Sequence, residues 1–177
     1  MVLPGSITPH DVVLHDGVTI TVRPITPDDR DGLNDFHERC SERTHYLRFF
    51  SSRPHLHADM LDRFVNVDHD NRDAIVAVVE REIVGVARYD RLDDATAAEV
   101  AFVVEDRYQG RGIATVLLHE LAAAAVERGV REFRAITLSE NVEMRHVFRH
   151  SGYKVTTRRQ PNDPAVIEYA FPIGSGR

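Results

Sequence analysis

The sequence predicts one mixed α/β domain, and three observations carry this prediction. Apolar residues recur at helical spacing between residues 26 and 67, whereas apolar runs typical of strands dominate from residue 74 onward. Strand and helix segments do not alternate strictly, so we expect a mixed sheet flanked by helices and not a purely parallel one. A chain of 177 residues is also long enough to bury a sizeable core.

The first half of the chain predicts a β-hairpin followed by three short helices. Asp16 and Gly17 form a typical hairpin turn between two β-rich arms. Thr26 is a suitable N-cap, and Pro27 stands at the first helical position. The predicted segments are the hairpin 11–25 and the helices 26–40, 41–52 and 57–67.

The second half predicts strands joined by two helices. Gly129 and Gly152 follow the helical runs and are typical C-terminal caps. The segment 97–105 is almost wholly apolar, which predicts burial on both faces. The predicted strands are 74–80, 82–90, 97–105, 132–138, 153–158 and 165–171, and the predicted helices are 111–128 and 141–151. We expect an N-terminal arm over 1–17, the domain over 18–171 and a tail over 172–177.

Composition excludes several classes of protein. The formal net charge of −6 argues against a nucleic-acid partner, which calls for a basic surface. Cys40 is the only cysteine, so no intramolecular disulfide or cysteine cage is expected, and its helical position favours a buried thiol. Neither an export leader nor an apolar run long enough to span a membrane is visible, so a cytoplasmic protein is expected.

The stretch "YQGRGIATVLL" (108–118) predicts an anion site. A helix N-terminus presents unpaired N–H groups and a partial positive charge. Gly110 and Gly112 allow positive φ and close approach of a ligand to the backbone, and Arg111 adds a permanent charge. A phosphate-bearing ligand is therefore predicted, with an ordinary glycine-rich turn as the alternative.

Two common phosphate-binding motifs do not fit this stretch. A P-loop requires Gly-Lys-Ser/Thr, whereas Gly112 is followed by Ile113 and Ala114. A dinucleotide fingerprint requires Gly or Ala where Thr115 stands, and an acidic residue at the end of the next strand, where Ser139 follows Leu138.

The same stretch resembles the acyl-CoA motif Q-x-x-G-x-A of the GNAT N-acetyltransferase superfamily, which "QGRGIA" (109–114) matches. The run N-x-x-M-x-x-x-F-x-x-x-G-Y over 141–153 is similar to the motif B helix of that superfamily. The resemblance covers roughly residues 18–171. It implies a twisted mixed sheet of about seven strands, splayed at the superfamily's strands 4 and 5, where strand 4 is the segment 97–104.

The resemblance also implies a cosubstrate, acetyl-CoA, and a set of residues that hold it. The main chain of strand 4 would pair with the pantetheine amides, the glycine-rich loop would hold the pyrophosphate, and the motif B helix would line the thiol end. The residues implied are Phe102, Val103 and Val104, then Gln109, Gly110, Arg111, Gly112, Ile113, Ala114 and Thr115, and finally Asn141 and Phe148. No metal is expected.

A narrower resemblance links this chain to bacterial protein lysine acetyltransferases of the Pat type. The segments "THYLRFFSSRPHL", "FVNVDHDNRDAIVAVV" and "AEVAFVVEDRYQGRGIATVLLHELAAAA" are similar in wording and order. Members of that group acetylate AMP-forming acyl-CoA synthetases, and many carry a second domain. We expect here either a stand-alone member or an excised domain.

Glu99 is the candidate general base, since an amine attacks a thioester only after it loses its proton. It is a carboxylate within an apolar strand, where desolvation would raise its pKa, and by strand alternation it shares a face with Ala101 and Val103. The Pat resemblance implies a catalytic glutamate here, whereas the pattern alone also allows a solvent-exposed one. Phe148 stands where many GNAT enzymes have a tyrosine acid. Ser139 or water would then protonate the leaving sulfur, or CoA would leave as a thiolate with little help.

Several other polar and aromatic side chains are expected to have structural and not catalytic roles. His146 and His150 are expected on a solvated helix face, and Asp68 and Asp70 in a turn. Tyr46, Phe49 and Phe50 are expected chiefly in the core, with the loop after them as part of an acceptor groove.

The leading hypothesis is a lysine Nε-acetyltransferase acting on proteins. The alternatives are an enzyme that acts on a small amine or a protein N-terminus, and a non-catalytic acyl-CoA sensor.

Overall fold

The structure is a computed structural model that describes residues 6–51 and 56–174. Eight strands form one sheet in the order β1-β2-β3-β4-β5-β6-β8-β7. The strands are β1 (His10–Val13), β2 (Thr19–Pro24), β3 (Arg72–Val79), β4 (Glu82–Arg91), β5 (Ala97–Val104), β6 (Glu132–Leu138), β7 (Thr156–Gln160) and β8 (Asp163–Pro172). The α-helices are α1 (Arg30–Arg39), α2 (Glu42–Phe49), α3 (Ala58–Val65), α4 (Ile113–Glu127) and α5 (Val142–Arg149).

The predicted mixed α/β architecture is confirmed. The eight strands are the two arms of the predicted hairpin and the six further strands predicted from the sequence, one more than the approximate seven that the family resemblance implied. Gly17 adopts φ +84° in the predicted turn, and β1 pairs antiparallel with β2. Glu80 and Arg81 both have positive φ in the tight turn between β3 and β4. Gly129 (φ +89°) follows α4 as the predicted cap. Strands β5 and β6 pair in parallel, and all other neighbouring strands of the sheet pair antiparallel.

Helices cover the sheet on both faces, so two hydrophobic cores form. On one face α4 and α5 pack against the sheet through side chains such as Leu117, Leu121 and Phe148. On the other face α1 and α3 contribute Phe36 and Leu61 to a smaller core. A Cβ on Gly85 of β4 would lie 3.1 Å from Ile113 Cγ2 and 3.3 Å from Leu117 Cδ1, so the glycine lets the start of α4 approach the sheet closely.

The sheet forks between β5 and β6. These strands pair at only three positions, and the last is Glu99 opposite Arg134. On its other side β5 pairs with β4 over seven positions, up to Val104 opposite Gly85. From residue 100 onward β5 therefore has no ladder partner on the side of β6, which confirms the splay that the family resemblance implied.

Both ends of the described chain contribute to the body of the fold. Leu14, next to the first turn, is 6% exposed and belongs to the larger core. Ile173, within the expected tail, is also buried there, and its N–H donates to the Arg131 carbonyl at 2.8 Å. Residues 1–5 and 175–177, the outer parts of the expected arm and tail, lie outside the described residues, as do residues 52–55 of the expected acceptor loop.

Candidate functional site

A cleft of about 600 Å³ occupies the fork between β5 and β6. Its walls are β5, the N-terminal turn of α4, β6, α5 and one side of α2. Of the residues predicted to hold a cosubstrate, those that line it are Phe102, Val103, Val104, Gln109, Gly110, Gly112, Ile113, Ala114, Thr115, Asn141 and Phe148. Arg111 and Glu99 lie outside this lining. The fold thus brings together residues that are up to 46 positions apart, Phe102 and Phe148.

The N-terminus of α4 has the geometry that the predicted anion site requires. Gly110 (φ +72°) and Gly112 (φ +89°) both adopt the left-handed conformation that the sequence predicted. Gly112 is the N-cap of a 15-residue helix, and no acidic residue stands in the first turn. A Cβ on either glycine would meet no protein atom within 4 Å, so the space in front of this backbone is open. Unpaired N–H groups and the helix dipole therefore face an accessible cavity.

Gln109 of the Q-x-x-G-x-A motif braces the loop. Its side-chain amide donates to the Val104 carbonyl at 2.9 Å and to Thr44 Oγ1 at 3.1 Å. Thr44 in turn donates to the Asp106 carboxylate at 2.9 Å, which also accepts from the N–H of Ser41 at 2.8 Å. Partial burial acts to raise the pKa of Asp106, but the hydrogen bonds from Ser41 and Thr44 outweigh it and hold the pKa below its usual value.

Arg111 is held at the rim of the cleft by residues that sequence reasoning did not connect to it. Its guanidinium forms an ion pair with Asp16 of the first hairpin turn, N to O 3.2 Å. The same guanidinium lies 5.3 Å from the ring centroid of Tyr108, which lines the cleft. His15, beside Asp16, also lines the cleft. The hairpin turn is therefore a wall of the anion end.

Asn141 and Phe148 form the opposite wall. The Asn141 side chain caps α5 by accepting from the Met144 N–H at 3.1 Å. Phe148 is 1% exposed and packs against Phe102 and Tyr169. Ser139, the side-chain alternative for protonating a thiolate, is not part of the cleft lining.

Glu99 stands where the two strands part, and its side chain is exposed. It is the last residue of β5 that pairs with β6, opposite Arg134, and across the other ladder it faces Asp90 of β4. Asp90 and Arg134 are themselves 46% and 49% exposed, so this cross-strand row faces solvent. The prediction that the apolar strand desolvates Glu99 is wrong, because the buried side chains of β5 lie mainly on the opposite face of the sheet, at Ala98, Val100 and Phe102. The shared face with Ala101 and Val103 is as predicted.

The second helix supplies cleft residues that local motifs did not reveal. Arg43, Thr44 and Arg48 of α2 all line the cleft. They lie about 60 positions before the glycine-rich loop, and only the packing of α2 against β5 and β6 brings them there. The Pat-like wording "THYLRFF" contains two of them, and it was the single signal in the sequence that could have identified them.

The remaining predictions from side-chain patterns hold except for two aromatic rings. Cys40 is 5% exposed, and burial raises the pKa of its thiol to about 12. Asp68 forms a turn by accepting from the N–H groups of Asp70 and Arg72 at 3.0 and 2.8 Å. His146 of α5 and His150, its C-cap, are both exposed, and His146 also lines the cleft. Tyr46 and Phe50 are 37% and 42% exposed, so the prediction of a core position is wrong for these two rings.

The residues of the cleft fit acyl-CoA. A helix N-terminus with glycines at positive φ suits a pyrophosphate, and a strand edge without ladder partners suits the amides of pantetheine. A volume of about 600 Å³ is in the range of small-molecule sites. Among residues 6–51 and 56–174, no group of three or more His, Cys, Asp or Glu side chains is arranged to hold a metal ion. No helix in that part of the chain is long and apolar enough to cross a membrane.

Comparison with known proteins gives a consistent result. The sequence model of the acetyltransferase (GNAT) family matches residues 34–153. The crystal structure of the GNAT domain of S. lividans PAT superposes with a TM-score of 0.86 at 40% identity, over 93% of this chain and 96% of that one. An acetyltransferase of Pseudomonas aeruginosa is 29% identical over 164 residues, 90% of this chain and 87% of that protein.

Two further relatives come from mycobacteria. Acetyltransferase Pat of Mycolicibacterium smegmatis is 36% identical over 155 residues, which are 85% of this chain but 46% of that protein. The cAMP-binding acyltransferase from Mycobacterium smegmatis superposes with a TM-score of 0.66 at 29% identity, over 94% of this chain and 48% of that one. The chain therefore spans about half the length of these two relatives.

Proposed function

This chain belongs to the GNAT acetyltransferase family, and from that premise we propose that it transfers the acetyl group of acetyl-CoA to the side-chain amine of a protein lysine. The observation that carries the proposal is the position of Glu99, a carboxylate at the point where β5 and β6 part and the cleft begins. An amine that approaches from the Glu99 side meets the thioester end of a ligand bound along β5.

The cosubstrate would bind along the fork. The pyrophosphate would accept from the N–H groups at the start of α4, where Gly110 and Gly112 allow its close approach. The free edge of β5 over residues 100–104 would pair with the pantetheine amides. Arg111 would add its charge at the rim, in competition with its ion pair to Asp16. Asn141 and Phe148 would shape the thiol end.

In the reaction that we propose, Glu99 takes a proton from the lysine ammonium, directly or through one water. The neutral nitrogen attacks the carbonyl carbon of the thioester, a C–N bond forms, the C–S bond breaks, and CoA leaves with the electron pair on sulfur. Because Phe148 offers no proton and Ser139 is not in the cleft lining, water relays the second proton of the attacking nitrogen to the thiolate, and Glu99 then releases its own proton to solvent. The exposure of Glu99 means that a docked acceptor must supply the desolvation that strengthens this base.

The acceptor that we propose is a lysine on an AMP-forming acyl-CoA synthetase. The proposed acceptor rests on the similarity of this chain to the Pat proteins. That similarity covers the cosubstrate motif and also the α2 segment that lines the cleft. A net charge of −6 favours a basic acceptor surface through complementary fields, an effect that salt screens. The same resemblance to bacterial enzymes makes the cytoplasm the proposed site of action.

The test compares kcat/KM with acetyl-CoA for three acceptors: a purified AMP-forming acyl-CoA synthetase, a peptide copied from its modified loop, and spermidine. We expect the folded synthetase to be the best substrate, with a rate that falls as salt is added. A higher kcat/KM for spermidine would refute the protein substrate while retaining the acetyl-CoA site and Glu99. Binding of acetyl-CoA without transfer to any acceptor would instead identify a sensor.

A further inference from the structure

A cavity separate from the cosubstrate cleft is lined by four arginines. It has a volume of about 140 Å³ and lies between α3, β3 and β4 on the face of the sheet that carries Glu99. Its charged lining consists of Arg48, Arg63, Arg72, Arg88, Asp73 and Asp90, and we call it the arginine cavity. In a chain of net charge −6, this concentration of positive charge is a local exception.

The carboxylates of the lining do not balance the guanidiniums. Asp73 is ion-paired to Arg128, which lies outside the cavity lining, and it also contacts His69 Nδ1 at 2.8 Å. Asp90 lies 3.7 Å from Arg63 at the exposed rim. Within residues 6–51 and 56–174, neither Arg48 nor Arg88 has a carboxylate within ion-pair distance.

Arg48 and Arg88 both have side-chain N–H groups that form no hydrogen bond within the part of the chain that the structure describes. Arg88 donates to the Phe64 carbonyl at 2.9 Å and stacks on the Phe64 ring at 4.0 Å, which leaves other N–H groups unused. Arg48 stacks on Phe49 at 4.7 Å. Burial lowers the pKa of Arg88 to about 10, and repulsion by Arg48 is the largest charge contribution to that shift. Two guanidiniums that line one partly desolvated cavity, with no carboxylate of the described residues within ion-pair distance of either, favour a bound anion.

The walls and the size of the cavity narrow the class of ligand. Met60, Phe64 and Val67 supply apolar surface beside the guanidiniums. A volume of about 140 Å³ is well below the roughly 300–1,000 Å³ of drug-sized sites, so only a small molecule fits. A guanidinium fork matches a carboxylate in a bidentate geometry, and the apolar wall suits a short carbon chain. These features describe a short aliphatic carboxylate.

The arginine cavity and the cosubstrate cleft share Arg48 as a lining residue. Arg48 lines the cleft, the arginine cavity and a small apolar cavity of about 40 Å³ between them. Ala101 and Val103, on the Glu99 face of β5, line both the cleft and the small apolar cavity. The small apolar cavity therefore lies between the cleft and the pair Arg48 and Arg88, on the side toward which an acyl chain longer than acetyl would extend.

We propose that the arginine cavity binds a short aliphatic carboxylate through Arg48 and Arg88. The carboxylate has two possible sources, a free small dicarboxylate or the terminal carboxylate of a dicarboxylic acyl-CoA such as succinyl-CoA. The second source rests on the acyl-CoA chemistry proposed above, whereas the first does not.

The direct test is calorimetric titration of the full chain with succinate. We expect saturable binding to the wild type and about tenfold weaker binding, or more, to Arg88→Met, because the variant removes a charge-assisted pair. Arg149→Met is the matched control, since Arg149 is an exposed arginine of α5, and its binding should equal the wild type. If Arg88→Met does not fold, Arg48→Met tests the same loss with succinate binding as the readout.

Turnover then distinguishes the two sources. Succinyl-CoA and butyryl-CoA have four-carbon acyl chains that differ in charge, so the ratio of their kcat/KM values isolates recognition of the carboxylate. A ratio that falls about tenfold in Arg88→Met assigns the cavity to the acyl chain. An unchanged ratio together with Arg88-dependent succinate binding assigns it to a free carboxylate.

An unchanged ratio with succinate binding that is absent, or equal in all variants, overturns the proposal. Arg88-dependent succinate binding by a protein that transfers no acyl group would keep the anion site and refute the proposed function.

Discussion

The two sides of the fork differ in the chemical groups that they present: main-chain groups on one side and side chains on the other. On the cosubstrate side, the proposed binding groups are main-chain ones, at the edge of β5 beyond Glu99 and in the N-terminal turn of α4, with Gly110 and Gly112 at positive φ. On the acceptor side, charged side chains from separate elements meet, among them Glu99, Asp90 and Arg48. A site made of backbone depends on local conformation, whereas a site made of side chains depends on strand register and helix packing.

This difference predicts how each side tolerates substitution. A cosubstrate site made of main-chain groups is insensitive to most side chains but sensitive wherever backbone conformation or approach requires glycine. An acceptor site made of side chains can lose catalysis through one isosteric change while cosubstrate affinity stays intact.

The largest expected effect is on the acceptor side. Glu99→Gln keeps the shape of the side chain and removes the proposed base, so we expect kcat at neutral pH to fall by about 10²–10⁴. The dissociation constant of CoA should stay unchanged, because the binding groups are elsewhere. Wild-type rates should rise with pH as the acceptor lysine loses its proton. Steady-state kinetics and calorimetry of the same preparation measure both quantities.

Glu132→Gln is the control, since it removes a carboxylate from the neighbouring strand that is ion-paired to Arg134 at 2.7 Å. It should change kcat less than about twofold, as expected for an exposed ion pair. Near-normal kcat in Glu99→Gln would transfer the role of base to Asp90 or to a chain of waters.

The next effect concerns the cosubstrate side. Gly112→Val should weaken CoA binding about 100-fold or more, because a branched side chain would block the backbone N–H groups and strain φ +89°. A Cβ there meets no protein atom within 4 Å, so the loss would not come from a clash within the protein. Calorimetric titration with CoA measures it.

Gly129→Val separates strain from binding. Gly129 has the same φ of +89°, also meets nothing within 4 Å, and lies at the far end of α4. Both variants should lose about 1–2 kcal/mol of stability from the left-handed conformation, and only Gly112→Val should lose CoA. Normal CoA affinity in Gly112→Val would rule out the helix N-terminus as the pyrophosphate site.

The smallest expected effect is on stability, and it concerns the hydrogen bonds between α2 and the loop after β5. Asp106→Asn weakens the hydrogen bonds that join Ser41 and Thr44 of the α2 start to the loop after β5. We expect a loss of about 1 kcal/mol in the free energy of unfolding, a modest value because the carboxylate is exposed to solvent. Urea denaturation of both proteins measures the difference.

The pH dependence of that difference identifies its cause. The pKa of Asp106 is lowered in the folded protein from its usual 3.8, so its contribution is complete above pH 3.8 and disappears as the pH falls through the lowered pKa. The two proteins should therefore differ by a constant amount between pH 5 and 8 and converge below about pH 4. A difference that persists unchanged at low pH would assign the effect to packing.

The order of elements and the cosubstrate side were largely predictable from sequence. Helical and strand periodicities identified all five α-helices and the strands, and the glycines before α4 indicated their positive φ. Strand alternation correctly placed Glu99 on the face of Ala101 and Val103. These features follow from backbone hydrogen bonding and side-chain periodicity, which act within a few residues of each position.

What the sequence left undetermined depends on contacts between distant segments. Asp90 stands beside Glu99 because of the register of β4 against β5, and Asp16 reaches Arg111 across 95 positions through the first hairpin. The exposure of Glu99 contradicted an expectation drawn from the apolar character of its strand, since burial is decided by what packs on each face and not by neighbours in the chain. Arg48 and Arg88 share a cavity for the same reason: register and helix packing are tertiary properties, which local sequence patterns do not encode.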